Sequence, residues 1–355
     1  MNESRKSTHH HRNGKGHRIR RWFRHNKTMI LICFVAGLAV AALGAFGLYR
    51  LRSIEAERHV TAGNSVNVGS GYRNISYDGQ RYQYNAQITT ILYAGIDSEG
   101  KLQPGVTYTD APRADSISLV IMDKKNKKMT IMALNRDLMT EVRRYTLSGK
   151  DRGTYVTHLG FAYTYGEGGE VSCENLREAV SNFLGGIPIN EYVVTNRSSM
   201  SFINNLVGGV TVTVPNNDLA ADYPELQQGA VVTLDDSNIE AYIRSRDSDT
   251  DFSNEGRIAR QQSYITSYIG QFQTLVQEDL SGTWDRMQEM DEFVQTSITK
   301  NKYLNLVNLL NAVDFTAGDY YIPAGEDKAG ELHDEFYVDA AALQDKVIDL
   351  FYTAV

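Results

Sequence analysis

Four short stretches of this chain set guanidinium and carboxylate groups close together: Arg113-Ala-Asp115, Asn135-Arg136-Asp137, Arg244-Ser-Arg246 and Arg257-Ile-Ala-Arg260-Gln261-Gln262. All lie in apolar, structured sequence, not in a polar tail. A planar guanidinium presents paired donors that match two phosphate oxygens. Carboxylates beside it suit a hard divalent cation, and magnesium is commonly held by one or two carboxylates plus phosphate oxygens of the substrate. Asp97 ends the apolar run Tyr93-Ala-Gly95-Ile-Asp97, a common place for ligand chemistry in an α/β sheet. Asp97 and Asp115 are therefore the candidate magnesium pair, and the set as a whole points to a phosphate or pyrophosphate.

Each stretch also has an ordinary reading. Asp97 suits a turn, and Arg113 with Asp115 suits a surface ion pair worth little. Arg136 and Asp137 could pair with each other in a turn, although an arginine directly after an apolar strand is poorly explained by packing. Arg244 and Arg246 could cap a helix C-terminus. Two arginines two apart in extended backbone face opposite ways, so both serve one ligand only if the chain turns between them. Arg257, Arg260 and Gln261 fall at i, i+3 and i+4 on one helical face. That face is either solvated or, with Ile258, Tyr264 and Ile265 marking the buried side, packed beside a cleft.

The elements that must position these groups follow from the rest of the chain. It has 355 residues, enough for an anchor and one sizeable core or two small domains. Its net charge of −7 and pI near 5.7 argue against general nucleic-acid binding. The first 27 residues are strongly basic and the sequence beyond about residue 85 is acidic, a split that suggests two compartments. Met29 to Tyr49 carries no charge and would span about 31 Å as a helix, close to the hydrocarbon thickness. Arg18, Arg20, Arg21, Arg24 and Lys27 precede it, and only Arg50 and Arg52 follow closely. The heavier basic flank stays in the cytoplasm, which places the C-terminal part outside a cell membrane. The run is long for a cleaved signal peptide, so it reads as an uncleaved single-pass anchor. Cys33 lies in this span and Cys173 far outside it, so no disulfide framework is expected. No CxxC or HExxH pattern suggests zinc.

Residues 1–28 read as a basic cytoplasmic tail, 29–49 as the transmembrane helix, 50–87 as a stalk, and 88–355 as an extracellular catalytic domain. Strands are expected at 88–95, 116–123 and 129–134, the last two joined as a hairpin by Lys124-Lys-Asn-Lys-Lys128. Helices are expected at 173–184, 199–206, 235–244 with Asp235 or Asp236 as N-cap, 257–272, 302–313 and 339–353, and further strands at 192–195 and 210–214. Interleaved strands and helices with an initial hairpin predict an α/β fold, three-layer α/β/α with a mixed central sheet.

Taken in order, ILYAGID, PRADSISLVIMD, KKMTIMALNRDLM, GGIPINEYVV, VGGVTVTVP, AYIRSRD and GRIARQQ resemble the LytR-CpsA-Psr family of cell-envelope phosphotransferases. The resemblance runs from about Ile88 to Gln271, with a weaker echo in Asp334-Glu-Phe-Tyr-Val-Asp339. It implies transfer of a glycopolymer (teichoic acid, capsule or another wall polymer) from a polyprenyl-pyrophosphate carrier in the membrane to peptidoglycan through a phosphodiester. It also implies magnesium on Asp97 and Asp115. By the same resemblance Arg136, Arg244, Arg246 and Arg257 hold the pyrophosphate, with Gln261 nearby and Arg113 flanking. Arg260 joins them as a substrate-binding residue, and an apolar groove for the polyprenyl tail draws on residues 171–214. For the proton of the acceptor hydroxyl, Asp137 or Asp251 is the candidate base.

The chain departs from the family pattern in three places. Asn135 stands where proline usually precedes the Arg-Asp pair, Thr157-His158-Leu159 replaces a basic or amide residue, and Asn254-Glu255-Gly256 precedes Arg257 in place of Asp-Phe-Gly. Two rival functions use the same features: a hydrolase releasing polyprenyl monophosphate to water, and a non-catalytic binder of lipid-linked polymer or regulator. Residues 1–27 carry no helix-turn-helix pattern and are too short for one.

Overall fold

The computed structural model describes residues 71–105, 107–109, 111–245, 253–330 and 334–355, with side chains in the last long helix described from residue 256. The proposed tail, transmembrane helix and first part of the stalk lie outside these residues, as do Arg246 and Asp251. Among the described residues no helix is long and apolar enough to cross a membrane.

The first described elements form a hairpin, β1 (Asn74–Tyr77) and β2 (Gln80–Tyr84). Then come β3 (Ile88–Ile96), β4 (Ala114–Asp123) and β5 (Lys128–Leu134). A second hairpin, β6 (Met139–Tyr145) and β7 (Asp151–His158), leads through the short α1 (Phe161–Thr164) into α2 (Glu170–Phe183). After β8 (Glu191–Asn196) and α3 (Met200–Leu206), a small two-stranded sheet forms from β9 (Thr211–Thr213) and β10 (Val231–Thr233). The chain continues through α4 (Ile239–Arg244), the long α5 (Ser253–Glu278), α6 (Leu280–Gln288), β11 (Val294–Thr296) and α7 (Lys300–Leu310). It closes with β12 (Tyr320–Tyr321), the hairpin β13 (Gly325–Ala329) and β14 (Asp334–Val338), α8 (Ala340–Phe351) and β15 (Tyr352–Ala354).

The central sheet has six strands in the order β11-β8-β3-β4-β5-β12. β3 pairs antiparallel with β4 and parallel with β8, and β5 pairs parallel with β12, so the sheet is mixed, as the sequence predicts. Alternation along β3 assigns its faces. Ile88, Leu92, Ala94 and Ile96 join a core with α2 and α8, represented by Leu176, Phe183, Val347 and Phe351. Ile91 faces the other way, into a cluster with Ile269 of α5 and Leu306 and Leu309 of α7. Helices thus cover both faces.

This topology gathers four strand ends on one edge. β3, β5 and β8 finish there and β4 starts there. The β3–β4 ladder carries a bulge at that edge: Gly95 faces Ser116 and Ile96 faces Ala114, which leaves Asp115 as the extra residue. A bulge turns a side chain out of the regular alternation, a common device beside active sites.

Several expectations are corrected. The boundary at residue 88 falls inside the fold, because β1 and β2 pair with each other and β2 with β15. Ile75 is buried there and Tyr84 packs edge-on against Tyr72 and Tyr352. The helix expected from residue 235 starts at Ile239 with Asn238 as N-cap. Asp235 instead accepts from the backbone N–H and hydroxyl of Ser237, closing a turn before the helix. The helix expected at 257–272 runs from Ser253 to Glu278. The β6–β7 hairpin escapes the sequence reading because its strands, MTEVRRY and DRGTYVTH, are mostly polar and expose one face.

Candidate active site

The edge where the four strands meet carries two chains of alternating charge. In the first, Arg113 donates to Asp137 Oδ1, Arg136 Nε lies 3.4 Å from Asp137 Oδ2, and Arg136 Nη1 donates to Asp115 Oδ1 at 2.7 Å. In the second, Arg244 Nη1 meets Glu240 at 3.2 Å and its Nη2 meets Asp97 Oδ1 at 3.1 Å. Arg197 lies 3.6 Å from the same Asp97 oxygen and pairs with Glu240 at 3.3 Å and with Glu99. The backbone N–H of Asp97 donates to the carbonyl of Arg113 at 3.3 Å, which joins the two chains.

Local sequence explains the positions. Asn135 follows the last residue of β5, and its side-chain oxygen accepts from the N–H of Asp137 at 2.9 Å. That turn throws Arg136 and Asp137 back over the sheet edge. The departure from proline at 135 thus supplies a side-chain acceptor that fixes the turn. Gly160 crosses the same edge, donating to the carbonyl of Arg136 and accepting from Ala114 N. A Cβ at 160 would lie 2.7 Å from the Ala114 carbonyl and 2.8 Å from Arg113 Nε, so only glycine allows this approach. Arg113 lies over the Phe161 ring at 5.0 Å, held from both sides by ring and carboxylate.

The groups are half-buried, with Arg136 and Asp115 side chains about one third exposed and Asp97 45% exposed, so a solute can reach them. Burial works against the charge of Arg136, but Asp115 and Asp137 outweigh it and hold its pKa above the ordinary arginine value. This guanidinium stays charged at any working pH. Behind Asp137, burial together with the charges of Asp334 and Asp137 raises the pKa of Asp327 on β13.

Of the residues singled out by sequence, Asp97, Arg113, Asp115, Arg136, Asp137 and Arg244 come together at this edge. Arg257 is half-buried in the first turns of α5. Arg260 is not placed to bind a substrate, contrary to expectation. It is fully buried, with Nε on the Tyr242 carbonyl at 3.0 Å, Nη1 on Asp218 at 2.6 Å and Nη2 on the Ser245 carbonyl. Gln261 donates to the Ile243 carbonyl at 3.0 Å. The i, i+3, i+4 face of α5 is turned onto the end of α4, where the last carbonyls of a helix lack intrahelical partners. Arg260 and Gln261 fill that need and hold the helix that carries Arg244. Arg197 was missed, although its place directly after the apolar strand β8 repeats the signal used for Arg136.

Asp97 and Asp115 use only their Oδ1 atoms in ion pairs and hydrogen bonds with the described residues. Each keeps a carboxylate oxygen for a cation, and the two sit on adjacent strand ends, so the donor set suits magnesium completed by substrate and water. Among the described residues no cluster of three or more acidic, histidine or cysteine side chains forms a metal site by itself.

The LytR_cpsA_psr family model matches residues 53–317, and the chain belongs to that family. It is 27% identical over 276 residues to the polyisoprenyl-teichoic acid–peptidoglycan teichoic acid transferase TagU of Bacillus anthracis, covering 77% of this chain and 81% of that one. It is 30% identical over 253 residues to the enzyme of the same description, TagV, of Bacillus subtilis, covering 68% of this chain and 57% of that one. The crystal structure of B. subtilis TagV superposes with a TM-score of 0.54 at 25% identity, covering 75% of this chain and 97% of that one.

Proposed function

We propose that this protein is a phosphotransferase that moves a glycopolymer, teichoic acid or a related wall polymer, from a polyprenyl-pyrophosphate carrier to peptidoglycan and leaves a phosphodiester. The observation that carries the reading is the meeting of Arg113, Arg136, Arg244, Asp97 and Asp115 at one sheet edge. The names of the TagU and TagV relatives support the same activity. The uncharged run 29–49 would hold the domain at the outer face of the membrane where a lipid carrier resides, with the basic tail in the cytoplasm.

In this reading the acceptor hydroxyl oxygen bonds to the phosphorus that bears the polymer. The bond from that phosphorus to the bridging oxygen breaks, and polyprenyl monophosphate leaves. Arg136 and Arg244, with Arg246 and Arg257, would neutralise the pyrophosphate, and Arg113 would flank it. Bound magnesium, held by Asp97 and Asp115, would supply further charge neutralisation at the phosphate oxygens. Asp137 holds Arg113 and Arg136 in place. Its oxygens retain lone pairs beyond these two contacts, so it can also take the hydroxyl proton. Tyr264, Tyr268 and Phe272 on α5 form a stacked ladder, with centroids 6.0 and 5.9 Å apart. Burial raises the pKa of both Tyr264 and Tyr268, as expected for an apolar setting. This ladder is the proposed wall for the polyprenyl tail.

The test is a transfer assay with radiolabelled lipid-linked polymer and peptidoglycan, run with and without magnesium. Wild-type protein should yield wall-linked polymer and polyprenyl monophosphate. Unchanged transfer by Arg136→Ala or Arg244→Ala would overturn the proposal. Product release to water alone, with no wall-linked polymer, would assign a hydrolase.

A further inference from the structure

A strip of aromatic rings runs away from this edge on the face opposite α5. It starts at Phe161, whose ring carries Arg113 at 5.0 Å. Tyr165 follows at 6.1 Å from Phe161, and Tyr155 at 5.7 Å from Tyr165. Arg144 closes the strip, its guanidinium 3.7 Å above the Tyr155 ring. The elements that carry it, β6, β7 and α1, pack through Val142, Leu159 and Ala162 into the core shared with α2, whereas α5 covers the other sheet face.

We propose that this strip, resting on the phosphotransferase reading above, is the subsite that seats the sugar chain of the acceptor. Three observations support it. First, Phe161, Tyr165 and Tyr155 are half-buried, not sealed into the core, so each ring keeps surface for a ligand. Second, Arg144 is exposed and makes no ion pair among the described residues, unlike Arg143 beside it, which is held by Glu178 and Asp151. Third, the strip joins the reaction edge through a shared residue, Arg113. Ring faces suit the C–H faces of sugars, phenol hydroxyls suit their hydroxyls, and an unneutralised guanidinium suits the carboxylates of a wall glycan. Position agrees with mechanism. An incoming hydroxyl approaches phosphorus opposite the leaving oxygen, and a donor lying along α5 leaves the β6–β7 side for the acceptor. His158 steadies the strip. Its Nε2 lies 3.0 Å from the Asp334 carbonyl and its ring meets Phe161 edge-on at 5.5 Å.

The experiment uses the full chain in detergent and soluble peptidoglycan glycan fragments freed by a muramidase. Binding is measured by calorimetry for wild type, Tyr155→Ala, Tyr155→Phe, Arg144→Ala and Arg136→Ala. Tyr155→Ala and Arg144→Ala should each weaken glycan binding by about tenfold and raise the acceptor KM to match, with affinity for the lipid-linked donor unchanged and transfer recovering at saturating acceptor. Tyr155→Phe should retain most of the affinity. Arg136→Ala should bind glycan as wild type while losing transfer, so the subsite and the phosphotransferase reading fail separately. If Tyr155→Ala fails to fold, Arg144→Ala decides alone. Wild-type glycan affinity in the folded variants, or no glycan binding by wild type, would overturn the proposal.

Discussion

Two arginines from the charged motifs of the sequence, Arg136 and Arg260, behave oppositely in the fold. Arg136 reaches an open edge and balances Asp115 and Asp137. Its replacement by alanine should cut transfer about a hundred- to a thousandfold, the usual cost of one preorganised charge, with little change in thermal melting. Arg260 is buried and saturated by two carbonyls and Asp218. Arg260→Ala leaves these acceptors without partners and should destabilise the fold by about 3 kcal/mol in chemical denaturation. Equal destabilisation by both variants would show that the edge network is scaffold only. Arg197 shares Asp97 Oδ1 with Arg244. Removing it takes away a cation that competes for that carboxylate, so Arg197→Ala should tighten the proposed magnesium site several-fold by calorimetry. Weaker binding would mean that Arg197 buttresses Asp97 instead.

Elements with a strong apolar pattern were legible, and those held by tertiary pairing were not. β3, β4 and β5 stood out because continuous apolar runs, bounded by polar turns, mark buried strands. The edge at which Asp97, Asp115 and Arg136 meet followed from those strands and their hairpin. The β1–β2 hairpin was hidden, because NISY and QRYQY carry few apolar residues and acquire order by pairing with β15, at the far end of the chain. Arg260 was misjudged for a related reason: helical spacing shows which residues share a face but not what that face meets. A fragment beginning at residue 88 should therefore melt several degrees below one beginning at residue 71, because it loses the strands that cover Tyr352. Equal melting temperatures would mean that the hairpin is dispensable.

At the scale of the molecule, a domain proposed to work outside the cell carries one cysteine, and the fold removes it from chemistry. Cys173 is fully buried on α2, and burial, with the charges of Glu174, Glu167 and Glu170, pushes its thiol up to about 12. The thiolate is the reactive form, so Cys173 in the folded domain should resist iodoacetamide at mildly alkaline pH and react only on unfolding, as read by peptide mapping. Rapid labelling of Cys173 in the native protein would show an opening that the packing does not provide. The extra residue in the β3–β4 ladder shows a different kind of restraint. Deleting Asp115, the one residue between Ala114 and Ser116, would restore regular pairing and keep the fully buried Ala114 opposite Ile96, yet it would remove the carboxylate that the bulge turns toward Arg136. The tidier sheet would be a worse protein, and local irregularity of this kind is where a search for sterically tolerated but inactivating deletions should begin.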